Sequence, residues 1–101
     1  MSLRVVVAHS AQAQLDELAQ WWHTNRPASA TDVKTEFRRV IELLAESPFL
    51  GRPYRRRRER NVRHFPLAGT PYQVFYAPKP DAGELRVLAV WSAERGEGPP
   101  L

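Results

Sequence analysis

Residues 71–92 read PYQVFYAPKPDAGELRVLAVWS, two runs rich in Val, Phe, Tyr and Trp on either side of PKPDAG. Such side chains suit the pleated, half-buried surface of a strand, and Pro, Asp and Gly break it with a turn, so the stretch predicts an antiparallel pair. Just upstream, NVRHFPL at 61–67 is a third run of the same kind, set off by Gly69 and Thr70. Together they predict a meander. Alternation along the middle run puts Tyr72 and Tyr76 on one face and Phe75 on the other. Core packing is the expected role for most of these rings, with base stacking open to whichever set lines an exposed face. Trp91, in the middle of the last run, is expected in the core.

The N-terminal half has a different period. Leu15, Leu18, Ala19 and Trp22 recur at helical spacing, which predicts a helix over about residues 11–25 with Ser10 as its cap. Pro27 interrupts it. The tetrapeptide SATD at 29–32 resembles a capping box, and Val33, Phe37, Val40, Ile41 and Leu44 form a second apolar stripe that ends at Ser47 and Pro48. Val5 to Ala8 reads as a short first strand. The order is β-α-α-β-β-β. Two amphipathic helices need a sheet face to cover, so the expected class is α+β: a two-layer domain over residues 1–101, with a helical hairpin packed on a small, mainly antiparallel four-stranded sheet.

Composition narrows the function. The hydrophobic content of 43% and charged content of 26% are those of a chain that folds. Cysteine is absent, and His9, His23 and His64 lack ligand-like spacing, so neither a metal nor any other cofactor is expected. The apolar run at Val5 to Ala8 is too short for a signal-peptide core or a membrane span, which points to the cytoplasm and away from a membrane partner. Net charge is +4, but seven arginines and a single acid, Glu59, lie between Arg52 and Arg63. The rest of the chain is net acidic. A local field of that sign favours a polyanion or an acidic protein surface.

The order of elements, together with SPFLGRP after the second helix, VRHFPL and PYQVFYA on successive strands, and RVLAVWSAERGEGPPL at the end, resembles the RelE/ParE toxins of type II toxin–antitoxin systems (the plasmid stabilisation family). The resemblance spans nearly the whole chain. It implies a toxin silenced by a cognate antitoxin, which is also the route by which it would oligomerise. The target is either DNA gyrase, as for ParE-like members, or mRNA on the ribosome, as for RelE-like endoribonucleases. The nucleases carry an arginine in the penultimate strand, just before an aliphatic residue pair and a tyrosine; Gln73 stands at that place here. They also place tyrosine or histidine after the last strand, where this chain has SAERGEGPPL. Both departures favour a ParE-like mode that acts by binding, with the endoribonuclease second and a degenerate toxin that binds only its antitoxin third.

Arg63 and His64 remain as a candidate cation and base, but neighbours on a strand point to opposite faces, so no catalytic pair is assigned. Anion or target binding is assigned to Arg52, Arg55, Arg56, Arg57, Arg58, Arg60 and Arg63, because guanidinium grips phosphate or carboxylate bidentately. The plainer alternative is a solvated, solubilising loop. Of the adjacent Trp21 and Trp22, only Trp22 fits the helical stripe; Trp21, left at the edge, and Arg95 are the candidate partner contacts.

Overall fold

A computed structural model of the chain describes residues 2–54 and 61–101. The described elements are β1 (Arg4–Val7), α1 (His9–Asn25), α2 (Val33–Glu46), β2 (Arg52–Pro53), β3 (Arg63–Pro66), β4 (Tyr72–Lys79) and β5 (Glu84–Ser92), with short 3-10 turns at Pro80–Ala82 and Ala93–Arg95. They form an α+β fold with one mixed sheet in the order β1-β5-β4-β3-β2. Strands β3, β4 and β5 run antiparallel as a meander, and β1 joins the free edge of β5 in parallel. A fifth strand adds to the four expected: Arg52 and Pro53 pair with His64 and Arg63. An arginine and a proline at the head of the arginine-rich stretch carry no strand signal of their own, and only the partner strand makes them one.

Both helices bury the stripes that their spacing predicts, except that Leu18 and Ile41 are only half-buried at the edge of the core. Ala11, Leu15, Ala19 and Trp22 of α1 and Val33, Phe37, Val40 and Leu44 of α2 meet Tyr72, Val74, Tyr76, Leu85, Val87 and Val90 of the sheet in one core. Trp22 sets its edge against the Tyr72 ring at 5.8 Å. The helix starts differ from expectation. The α1 helix begins at His9, with Ala8 as the cap residue and no side-chain cap, because Ala8 still donates to Val87 O while its own carbonyl accepts from Gln12 N–H. Ser10 therefore lies within the first turn. At α2 the cap is Asp32, whose carboxylate accepts from Lys34 and Thr35 N–H, while Ser29 Oγ closes a separate turn with Thr31. Those backbone donors hold the Asp32 carboxyl below its ordinary pKa.

Strand β5 is one residue longer than its partner needs. Phe75 pairs with Ala89 and Tyr76 with Val87, which leaves Leu88 as a bulge. The bulge changes the phase of β5: Leu85, Val87 and Val90 face the helices, whereas Leu88, Ala89 and Trp91 face the other side. Trp91 is thus half-buried on the far face and not in the helix-covered core. Beyond Val87, where β1 has ended, the Val90 N–H finds Gln14 Oε1 of α1 at 2.9 Å.

Candidate functional site

The face of the sheet turned away from the helices carries a second, smaller apolar cluster. Val62, Phe75 and Ala89 form it, with Tyr54, Leu88, Trp91 and Leu101 packed against them. His64 stacks on Phe75 with centroids 5.5 Å apart, and the Tyr54 ring stands edge-on to Phe75 at 4.8 Å. The tail after β5 folds back here. The Trp91 indole N–H donates to Glu97 O at 2.8 Å, Gly98 lies so close to the Tyr54 hydroxyl that a Cβ would overlap it, and Pro99 is fully buried. Between the rings and the tail is a cleft of about 230 Å³, whose polar groups come from His64, Gln73, Ser92 and Glu97.

Gln73 and His64, on neighbouring strands, meet in this cleft: His64 Nδ1 is hydrogen-bonded to Gln73 Oε1. Among the described residues lining the cleft there is no arginine or lysine. The arrangement offers flat apolar surface, an amide and an imidazole. Arg52, which pairs with His64 across β2 and β3, is a described arginine on the same face of the sheet.

Arg63 goes to the other side. Its Nη1 donates to Phe49 O at 3.1 Å and Gly51 O at 2.6 Å, and the guanidinium lies over the Phe49 ring at 5.2 Å. Arg63 and His64 are therefore not one site. Arg52 is exposed on the edge strand β2, and Arg55, Arg56, Arg57, Arg58 and Arg60 lie outside the described residues. His23 is exposed beside Asp32 at 3.9 Å, and among the described residues no cluster of His, Asp and Glu is placed to hold a metal ion.

Trp21 and Arg95, far apart in sequence, come together. Both line an open groove of about 350 Å³ between α1 and the turn after β5, floored by Leu18 and Tyr72 and rimmed by Glu17 and Glu94. Half of Trp21 is exposed (50%). Arg95 lies over the Trp91 ring at 4.4 Å, so it borders both the groove and the wall of the ring-lined cleft. Burial pushes the Tyr72 phenol above its ordinary pKa, and the Glu94 carboxylate adds to this.

Tyr54, Phe49 and Leu50 matter to these surfaces and carry no assignment from the sequence. The signal was there for the last two: an apolar pair in SPFLGRP belongs to neither helical stripe nor strand. Tyr54 gave none, since only the return of the tail makes it a wall.

Two helices over one face of a small mixed sheet is a fold also found in solved toxin–antitoxin structures. The chain superposes on a chain from the toxin–antitoxin complex RelBE2 of Mycobacterium tuberculosis with a TM-score of 0.65 and 17% identity, over 91% of this chain and 99% of that one. It superposes equally on one from the chromosomal ParDE toxin–antitoxin system of P. aeruginosa, with a TM-score of 0.68 and 17% identity over 90% and 96%. No curated protein matches it in sequence. The family model of the ParE toxin of type II toxin–antitoxin systems, parDE, matches residues 5–96, and the chain belongs to that family.

Proposed function

We propose that this toxin acts by binding and not by cutting: it engages DNA gyrase in the cytoplasm and is silenced by a cognate antitoxin. The observation that carries this reading is Gln73. At the place where RNA-cutting relatives are expected to carry arginine, this chain has a neutral amide whose oxygen is taken up by His64. A charged donor aimed at a reacting oxyanion is worth about 10²–10³ in rate at comparable sites, and Gln73 is no substitute for it. The antitoxin is assigned to the groove that holds Trp21 and Arg95, where an apolar floor and charges of both signs suit an amphipathic segment. Oligomers then form through the antitoxin.

The competing reading, a ribosome-dependent endoribonuclease, draws on one feature, the His64 imidazole beside a ring-lined cleft. A gyrase supercoiling assay run beside mRNA mapping in a translation reaction separates the two. The wild-type chain is expected to inhibit supercoiling and leave mRNA intact, and Gln73→Arg alone is expected not to create cleavage, because neither tyrosine nor histidine follows the last strand. Ribosome-dependent cuts that vanish in His64→Gln at unchanged melting temperature would reverse the assignment.

A further inference from the structure

We infer that the antitoxin anchors in the groove beside α1 through a lysine or arginine, whose cation sits among Glu17, Glu94 and the Tyr72 hydroxyl while its stem lies on Leu18 and the Trp21 ring. This rests on the reading above that the antitoxin occupies this groove. All five residues line it. A long cationic side chain suits such a surface, since its methylene stem covers apolar area and an aromatic ring attracts the charge.

Neither carboxylate has a cation of its own. Among the described residues the ion pairs join Arg4 and Arg86 to Glu84, Lys34 to Asp16, Arg39 to Glu36 and His23 to Asp32, and none takes in Glu17 or Glu94. The Tyr72 hydroxyl is a second, independent sign. Tyr72 is only 3% exposed and lines the groove, yet no described residue hydrogen-bonds its hydroxyl, whereas the hydroxyl of Tyr76 on the same strand has two partners. Glu94 adds to the upward push of burial on its pKa, with Arg26 opposing, so the hydroxyl lies within reach of the Glu94 charge on the rim. A hydroxyl buried this deeply and left unpaired is costly, and a partner's donor removes the cost.

Charge chooses the occupant. Arg95 is the one described cation in the lining, and its guanidinium is stacked on the Trp91 ring and paired with neither acid. Arg26 lies over the Trp22 ring and lines a separate crevice at the joint between the helices. A carboxylate entering the groove would have Arg95 alone and face two like charges; a cation would find two carboxylates and a phenol oxygen. The rim is also fixed beforehand. Ala93 N–H donates to Pro71 O at 2.8 Å and Glu94 N–H to Ser92 Oγ at 3.2 Å, while Gln14 of α1 holds the Val90 N–H of β5. Walls set in this way order little on binding, which favours affinity.

The test reads the affinity of the full chain for its antitoxin, purified from the co-expressed pair, across a salt series. Four variants are compared after thermal melts show each to be folded: Glu17→Gln/Glu94→Gln, Tyr72→Phe, Arg95→Gln and Trp21→Ser. The double glutamate variant is expected to lose at least about tenfold in affinity and to flatten the salt dependence. Tyr72→Phe is expected to lose about threefold to tenfold at an unchanged melting temperature, because the hydroxyl it removes has no partner within the chain. Replacing the antitoxin's lysines and arginines one at a time by glutamine is expected to find one whose loss is less than additive with the glutamate variant. A loss in Arg95→Gln equal to or larger than that of the glutamate variant would make the anchor an acid and overturn the inference, as would wild-type affinity in Tyr72→Phe. Loss of growth arrest by the glutamate variant in the absence of antitoxin would give the groove to the target and overturn it too. If the glutamate variant binds as the wild type does, Trp21→Ser separates the two readings: weakened binding there keeps the antitoxin in the groove without its cation, and unchanged binding removes the antitoxin from the groove altogether.

Discussion

Replacing Tyr76 by phenylalanine removes one oxygen from the interior and leaves two backbone groups without their partner. The side chain is fully buried at the end of the core nearest the 48–51 loop, and its hydroxyl is the link between Pro48 O and Gly51 N–H. Burial pushes the phenol above its ordinary pKa, so it stays protonated and keeps donating across the neutral range. In the variant the ring still fills its place, and the loss is confined to hydrogen bonding. An unpaired buried donor or acceptor costs about 1–3 kcal/mol; with the Gly51 N–H buried and the Pro48 carbonyl partly so, the expected loss is about 2–4 kcal/mol. For a chain of this length that lowers the melting temperature by roughly 8 °C or more. A second substitution checks the cause. Gly51→Ala drives a methyl against the same hydroxyl, at 2.5 Å, and against His64 O, at 2.8 Å. In the Tyr76→Phe background the clash with the hydroxyl is gone, although the ring carbon Cε1 at 2.9 Å and His64 O remain, so the double variant is expected to lose less than the sum of the two separate losses. A Tyr76→Phe melting temperature within about 3 °C of wild type, or strictly additive losses, would refute the hydroxyl as the shared brace.

Exchanging Arg55, Arg56, Arg57 and Arg58 for serine is expected to leave the melting temperature unchanged while weakening target binding and flattening its salt dependence; equal affinity and slope would remove the run from the mechanism. Glu36→Gln is expected to destabilise by about 1–2 kcal/mol at neutral pH, since Glu36 accepts a two-point grip from Arg39 at 2.8 and 2.7 Å and the Ala68 N–H at 2.8 Å. Arg39, then Ala68, hold this carboxyl below its ordinary pKa. A depressed folded-state pKa gives stability that is complete above the unfolded value, about 4.3, and lost as pH falls through the folded one, so the gap between wild type and variant should narrow towards pH ~3 in paired melts.

Period was the legible part of this fold. Leu15, Ala19 and Trp22, and Val33, Phe37, Val40 and Leu44, are core residues because no other spacing puts them on one helix face, and each is buried. The two-residue period of β4 also holds, with Tyr72, Val74 and Tyr76 against the helices and Phe75 behind. What escaped was fixed by neighbours and not by local preference. Ala8 closes the start of α1 because it is still hydrogen-bonded to β5, a contact nearly eighty residues away in sequence that no capping rule anticipates.

Trp91 shows why the site was harder to read than the core. Counted by twos from Leu85 and Val87, it belongs with the helix-facing set, and the sequence offers nothing against that. The extra residue, Leu88, lies in β5 and not in β4, so the alternation of Tyr72 to Tyr76 survives while that of β5 is reversed from Ala89 onwards. VLAVW, residues 87–91, is apolar at both phases, and a bulge within such a run leaves no mark in hydropathy. The consequence is chemical as well as geometric. Turned outwards, the indole donates to Glu97 O, holds the tail beside Tyr54 and gives Arg95 a ring to lie on. One uncounted residue thus builds a wall of the cleft and fixes a rim of the groove, and it brings Arg95 beside Trp21 from the other end of the chain.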